Sequence, residues 1–487
     1  MTGGSSLGLV PAGGLLGFQR PTVALVAVGL GCGVVVGAGA GLGPAPALGA
    51  LAVCLGGVVL LVRPDVGLLV LAGLVPVVAG LRRGLPLPGA RLSEVVTVGV
   101  AAIVLLRLDR RTSPPWRSFD WLVLTYATGH AGIGAANVLS RDESFTATSL
   151  GTLVGPFQFL LLYRAALALL GEEGRRRLVL RLMLIASVPV CVLALAQAAE
   201  VPGVGEIVTF LTGNDIGAIA ATEARDFQRA ESTLRATGPF PHWQVLAGYL
   251  FVIGLLALTL SLEPAQRVLG PRWLLGILVL VLAAMLATGT FATTLSLVAA
   301  AVAVGAWARR LPRVAGLLGG VALIPAVAFS GTVSSRIDQQ FGAAAGAGTP
   351  LLPQSLAYRV DLWRDEYLPE LAGRWLFGYG PDLPPGVGFR FTESVYLTLL
   401  LRGGVVLLVL FAAVMAALAA CAWSLRDHPQ AETRVVGRVL VVLLGALLVL
   451  HLVEPYLLTS GLPQLFWLLA AVAMALGTTR PAARRRA

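Results

Sequence analysis

Apolar runs long enough to cross a bilayer recur along this chain, and two long polar stretches interrupt them. Crossing the hydrocarbon core takes about 20 mostly apolar residues in a helix. Runs bounded by Arg, Pro or Gly fall near 21–42, 45–62, 65–81, 92–107, 119–137, 149–170, 178–199, 243–262, 273–288, 291–308, 314–330, 394–423, 435–453 and 461–478. The pattern predicts an all-α, polytopic integral membrane protein with about 12–14 transmembrane helices and two long extracytoplasmic loops. The expected order is N-terminal helices over 1–199, a first long loop over 200–242, central helices over 243–330, a large loop with short helices over 331–393, and C-terminal helices with a basic tail over 394–487.

Composition agrees with a membrane protein. Of the 487 residues, 57% are hydrophobic and 13% charged, well away from the composition of soluble domains. The net charge of +11 comes entirely from arginine, since the chain has no lysine. A basic balance of this size suggests nucleic acid, but arginines gathered between apolar spans are what the positive-inside rule produces, so no nucleic-acid partner is expected. If the spans alternate, Arg107, Arg117, Arg175, Arg181, Arg267, Arg309, Arg426, Arg434 and their neighbours fall on one side, which is then cytoplasmic. Arg82, Arg83 and Arg91 depart from the pattern, as does Arg141, which is followed by Asp142 and Glu143. Cys32, Cys54, Cys191 and Cys421 sit inside apolar runs, with no disulfide or zinc spacing. No cofactor is called for. The glycine-rich start lacks the basic region and cleavage site of a signal peptide, so the first span is expected to persist.

Chemistry is therefore sought in the two outer stretches. The first carries Glu223, Arg225, Asp226, Arg229, Glu231 and Arg235 before Gly238, Phe240, Pro241 and His242. Arginines on the outer side run against the positive-inside bias, and a guanidinium offers paired planar donors to phosphate or carboxylate. Arg229 and Arg235 are candidates for an anionic ligand and equally for pairing with the neighbouring acids. The second stretch carries Arg336, Arg359, Asp361, Arg364, Asp365 and Glu393. Arg359 and Trp363, spaced i, i+4, share a helical face. Glu393, where the loop re-enters the membrane, is a candidate for a perturbed carboxylate.

These residues also carry a resemblance. Gly238-Pro239-Phe240-Pro241-His242-Trp243-Gln244-Val245-Leu246-Ala247-Gly248-Tyr249-Leu250 resembles the segment G-x-F-x-H-P-N-x-L-A-x-Y-L of the O-antigen ligase and polymerase-like family of membrane glycosyltransferases. Arg359, Trp363 and Leu376-Phe377-Gly378-Tyr379-Gly380 look like its R-x-x-x-W and L-F-G-x-G. Glu393-Ser394-Val395-Tyr396-Leu397, then Arg402-Gly403-Gly404, resemble its next motif and glycine turn. Trp243 and Gln244 replace Pro-Asn, Leu407 replaces a second glycine, and Phe291 stands where a T-G-S-R motif would have Arg.

The resemblance implies an enzyme of the bacterial plasma membrane, surrounded by lipid. It would move a glycan from a polyprenyl diphosphate carrier to a glycan or lipid acceptor hydroxyl at the outer face, with polymerase favoured over ligase by Glu393. Arg235 and Arg359, with Arg229 or Arg336, would then contact the diphosphate. Glu393 would be the base and His242 its runner-up. The rival reading is a multi-spanning transporter or lipid-linked glycan flippase; against it, the chain shows no internal repeat and no chain of charges through its spans.

Overall fold

A computed structural model describes residues 55–81, 92–107, 114–213, 235–263, 265–328, 330–331, 334, 354–382, 392–459 and 461–476. Arg229 and Arg336 lie outside the described residues, as do Arg82, Arg83, Arg91 and most of the two N-terminal runs. The chain divides into two units, Met1–Gly67 and Leu68–Ala487. In the first, the helix Leu55–Val62 leads to a short 3-10 turn at Pro64–Val66, where Arg63 pairs with Asp65 at 3.0 Å.

The second unit is all-helical among its described residues. The π-helical turn Leu69–Leu74 and the short helix Val75–Val78 precede α1 (Leu92–Arg107), α2 (Ser118–Ser140), α3 (Ala147–Leu169), α4 (Glu173–Ala198) and α5 (Val204–Thr212). Next come α6 (Trp243–Leu262), α7 (Pro271–Ala287), α8 (Phe291–Trp307), α9 (Leu311–Ala328), α10 (Gln354–Leu362), α11 (Val395–Leu425), α12 (Ala431–Leu450) and α13 (Leu462–Leu476). Five of these, α3, α4, α6, α11 and α12, are long and apolar enough to cross a membrane, and α7, α8 and α13 are shorter apolar helices. The protein is an all-α, polytopic membrane protein. Five helices among the described residues have full spanning length, where the apolar runs predict about 12–14 spans over the whole chain.

Helices α6 and α13 are buried almost all round, as helices apolar on every face must be. Around them pack α7, α8 and α12 against α6, and α3 against α13. The outer helices turn large apolar side chains outward, among them Ile185, Val192, Leu295, Val409, Leu448 and Val449, a surface suited to lipid and costly in water.

Charge separates the two ends of the bundle. At one end Arg177 pairs with Glu432 at 2.9 Å, joining the starts of α4 and α12, Arg434 with Glu263 at 3.0 Å, joining α12 to the end of α6, and Arg438 with Asp427 at 3.7 Å, joining α12 to the turn before it. Arg117 at the start of α2 donates to the Met474 carbonyl near the end of α13. Arg164 turns inward. Its guanidinium pairs with the fully buried Asp120 at 2.9 Å and donates to the Pro114 carbonyl. A partner inside the protein outcompetes the long reach to water. The opposite end gathers the starts of α6 and α11, the end of α12 and the described parts of both polar stretches.

Candidate functional site

The first motif folds as a buried cap over the start of α6. The side-chain oxygen of Gln197, near the end of α4, accepts from the backbone N–H groups of Thr237 and Gly238, each at 2.9 Å, and Ala236 donates to the Ala287 carbonyl at the end of α7. Phe240 is fully buried and packs on Tyr249 at 5.2 Å between ring centroids. Gly80 lies so close that a Cβ there would meet the Pro239 carbonyl oxygen at 2.2 Å. His242 is the N-cap of α6, its Nδ1 accepting from the Gln244 N–H at 3.4 Å, with the imidazole 3.8 Å from the Trp243 ring. Burial lowers its pKa to about 4, so at neutral pH it is an uncharged imidazole. Arg235 lies over the Trp243 indole at 4.6 Å, so Trp243 supplies a cation–π platform.

The second and third motifs meet one another. Arg359 of α10 forms an ion pair with Glu393. One turn on, Trp363 opens a π-helical turn, Trp363–Tyr367, and its indole N–H reaches the Thr392 carbonyl at 3.4 Å. The i, i+4 pair thus reaches the same two-residue segment, one member by charge and one by hydrogen bond. Glu393 holds a left-handed backbone, φ 47°, rare for a residue with a Cβ. Directly after it, α11 is stitched to the end of α12. The Val395 N–H and the Ser394 hydroxyl both donate to the His451 carbonyl at 3.0 Å, and the Tyr396 hydroxyl donates to the Leu448 carbonyl at 2.8 Å.

That stitching brings Glu454 beside Glu393. Glu454 is 1% exposed, and its Oε2 has no hydrogen-bond partner in the protein. Burial, reinforced by the Glu393 carboxylate and opposed by Arg359, pushes its pKa up to about 8. Its neighbour Tyr456 is buried, and Gly248 of α6 abuts that ring, since a Cβ on Gly248 would come within 2.6 Å of Tyr456 Cδ1. Gly461 likewise abuts Phe240. The loop between α12 and α13 therefore ties the cap that carries Arg235 and His242 to the carboxylates.

Leu376-Phe377-Gly378-Tyr379-Gly380 and Arg402-Gly403-Gly404 are also partners. Gly404 breaks α11 with φ 64° and ψ −164°. The Leu401 and Arg402 carbonyls accept from the N–H groups of Tyr379 at 2.6 Å and Gly380 at 3.1 Å, while Val405 and Val406 donate to the Trp375 and Leu376 carbonyls at 2.7 and 3.3 Å. A helix broken at membrane depth persists only where protein re-pairs the backbone, and this strap does so. Asn137 of α2 holds it through the Phe377 carbonyl at 2.9 Å, and Arg141, expected only as an outlier in charge, donates to the carbonyls of Tyr379 and Asp382.

Of the candidate site residues, Arg359 and Glu393 come together, His242 serves as a cap, and Arg235 sits at the same end of the bundle on Trp243. Glu454 enters the site from a position that reads as an interface feature at the end of an apolar run; only its burial beside Glu393 distinguishes it. Comparison with protein-family models, with curated proteins and with solved structures gave no match for this chain.

Proposed function

We propose that this membrane protein transfers a glycan from a polyprenyl diphosphate carrier to an acceptor hydroxyl, using Arg359, Glu393 and Glu454 at the end of the bundle opposite its arginine-rich ion pairs. In this reading the arginine-rich end is cytoplasmic and the site faces outward in a bacterial plasma membrane. The observation that carries the reading is the Arg359–Glu393 ion pair, set beside a buried carboxyl raised to about 8.

The chemistry follows from that pair. A diphosphate competes with Glu393 for the Arg359 guanidinium, whose planar donors match its oxygens. The released carboxylate takes the acceptor proton as the acceptor oxygen bonds to the anomeric carbon. The bond between that carbon and the diphosphate oxygen breaks, and its electron pair leaves on the diphosphate, where Arg359 meets the growing charge. Glu454, protonated at neutral pH, keeps the pocket from holding two carboxylates at once and supplies a second proton-transfer group.

The test is purified protein in nanodiscs given a polyprenyl diphosphate glycan and an acceptor, with no ion gradient. Growth of the glycan on the acceptor supports the reading. Movement of the intact lipid-linked glycan between leaflets without growth would support the transporter or flippase alternative and overturn it.

A further inference from the structure

A second polar centre lies inside the bundle. A cavity of about 250 Å³ opens between α1, α2, α3, α11 and α13, lined among others by Tyr126, His130, Gln158, Arg402, Gln464 and Trp467. Its polar groups come from the middle of helices: His130 from the centre of α2 and Arg402 from the break in α11. His130 keeps its Nδ1 without a hydrogen-bond partner in the protein, and Arg402 has no carboxylate within ion-pair distance among the described residues. Asp382 acts on Arg402 only at longer range. Glu94, the one acidic residue of the lining, is itself engaged in an interaction.

A guanidinium at membrane depth is expensive unless an anion or a wet cavity compensates it, and such residues mark ligand pathways. Here the cation points at a space with further hydrogen-bonding side chains at its walls: the Tyr126 hydroxyl, the Gln158 and Gln464 amides, and the His130 ring. The volume admits one oxyanion group or a single ring, below the range of sites for drug-sized molecules. We infer that this cavity binds an oxyanion, a phosphate or carboxylate carried by a lipid headgroup or by a free solute, with Arg402 as its paired donor. It uses none of the residues assigned to glycan transfer, so the two ideas stand or fall separately.

Two substitutions test it in the full chain. Arg402→Gln removes the charge while leaving the Arg402 carbonyl to the strap. Gly155→Leu fills the cavity from α3 and keeps the arginine at 402, since a Cβ at Gly155 meets nothing within 4 Å and leucine favours the helix. Thermal unfolding is followed in phosphatidylcholine nanodiscs titrated with inorganic phosphate at constant ionic strength, and in nanodiscs with increasing phosphatidylglycerol. Saturable stabilisation by phosphate identifies a free anion and stabilisation by phosphatidylglycerol alone a lipid. In either case both variants should shift the half-saturation point by about tenfold or more. No saturable stabilisation of the wild type by either probe would overturn the inference, as would an unchanged half-saturation point in both variants. Should Arg402→Gln fail to fold, the Gly155→Leu result alone decides.

Discussion

Glu454 lies buried beside Glu393, close enough that the Glu393 charge helps raise its pKa to about 8. Two carboxyl groups at a dry boundary cannot both ionise cheaply, so the proton on Glu454 is part of the folded state. Folding takes up a proton wherever the native carboxyl holds it and the unfolded one does not. The stabilisation from this raised pKa is complete below the ordinary carboxyl range near 4.5 and is lost as pH rises through about 8. The wild type should therefore lose stability across that window, while Glu454→Gln, neutral at every pH, should show a flatter profile. Thermal unfolding in micelles at intervals between pH 4 and pH 9 measures the difference; parallel profiles would contradict it.

The break in α11 should tolerate no side chain. A Cβ on Gly404 would lie 2.2 Å from the Leu376 carbonyl carbon, and the residue already sits at positive φ. Gly404→Ala should lower the unfolding temperature sharply and expose the strap to protease, because clash and backbone strain act on the same bonds. Gly445→Ala on α12, where an added Cβ meets nothing, should leave stability unchanged or raise it slightly. Limited proteolysis and thermal unfolding of the two variants side by side check this.

His242 is expected to work as a cap. Asparagine is a strong N-cap residue that accepts the same kind of hydrogen bond, so His242→Asn should keep both stability and glycan transfer within about threefold, whereas losing a general base costs about 10²–10⁴-fold. The pH dependence gives a second readout. With its pKa lowered to about 4, a catalytic His242 would contribute an acidic limb near pH 4 to kcat/KM, so wild type and His242→Asn should show the same pH profile through that region.

The fold was legible where periodicity and length decide it. The apolar runs near 149–170, 178–199, 243–262, 394–423 and 435–453 correspond to α3, α4, α6, α11 and α12, because a spanning helix must satisfy its backbone internally over a fixed length. Which helices lie at the centre was not legible, since α6 and α13 exceed the lipid-facing α7, α8 and α11 in apolar character by too small a margin to single them out. At the site, Arg359, Trp363 and Glu393 could be singled out as residues, but their meeting is a long-range contact that no local pattern encodes. Gly378, Gly380, Arg402, Gly403 and Gly404 could be quoted as motifs, but not that the two motifs pair with each other to mend a broken helix. Arg141 and Glu454 went unassigned for the same reason: an isolated charge near a span end looks alike whether it is solvated or buried against a partner.

The measurement that bears most directly on the account is transfer by the purified chain with Arg359 and Glu393 replaced singly and together, reading kcat and KM for the lipid-linked donor. The account predicts that Arg359→Ala raises donor KM and lowers kcat, that Glu393→Gln lowers kcat by about 10²–10⁴-fold, and that the double variant is little worse than the poorer single, since the two groups act as one unit. Transfer that survives in every variant at near wild-type kcat and KM would contradict it.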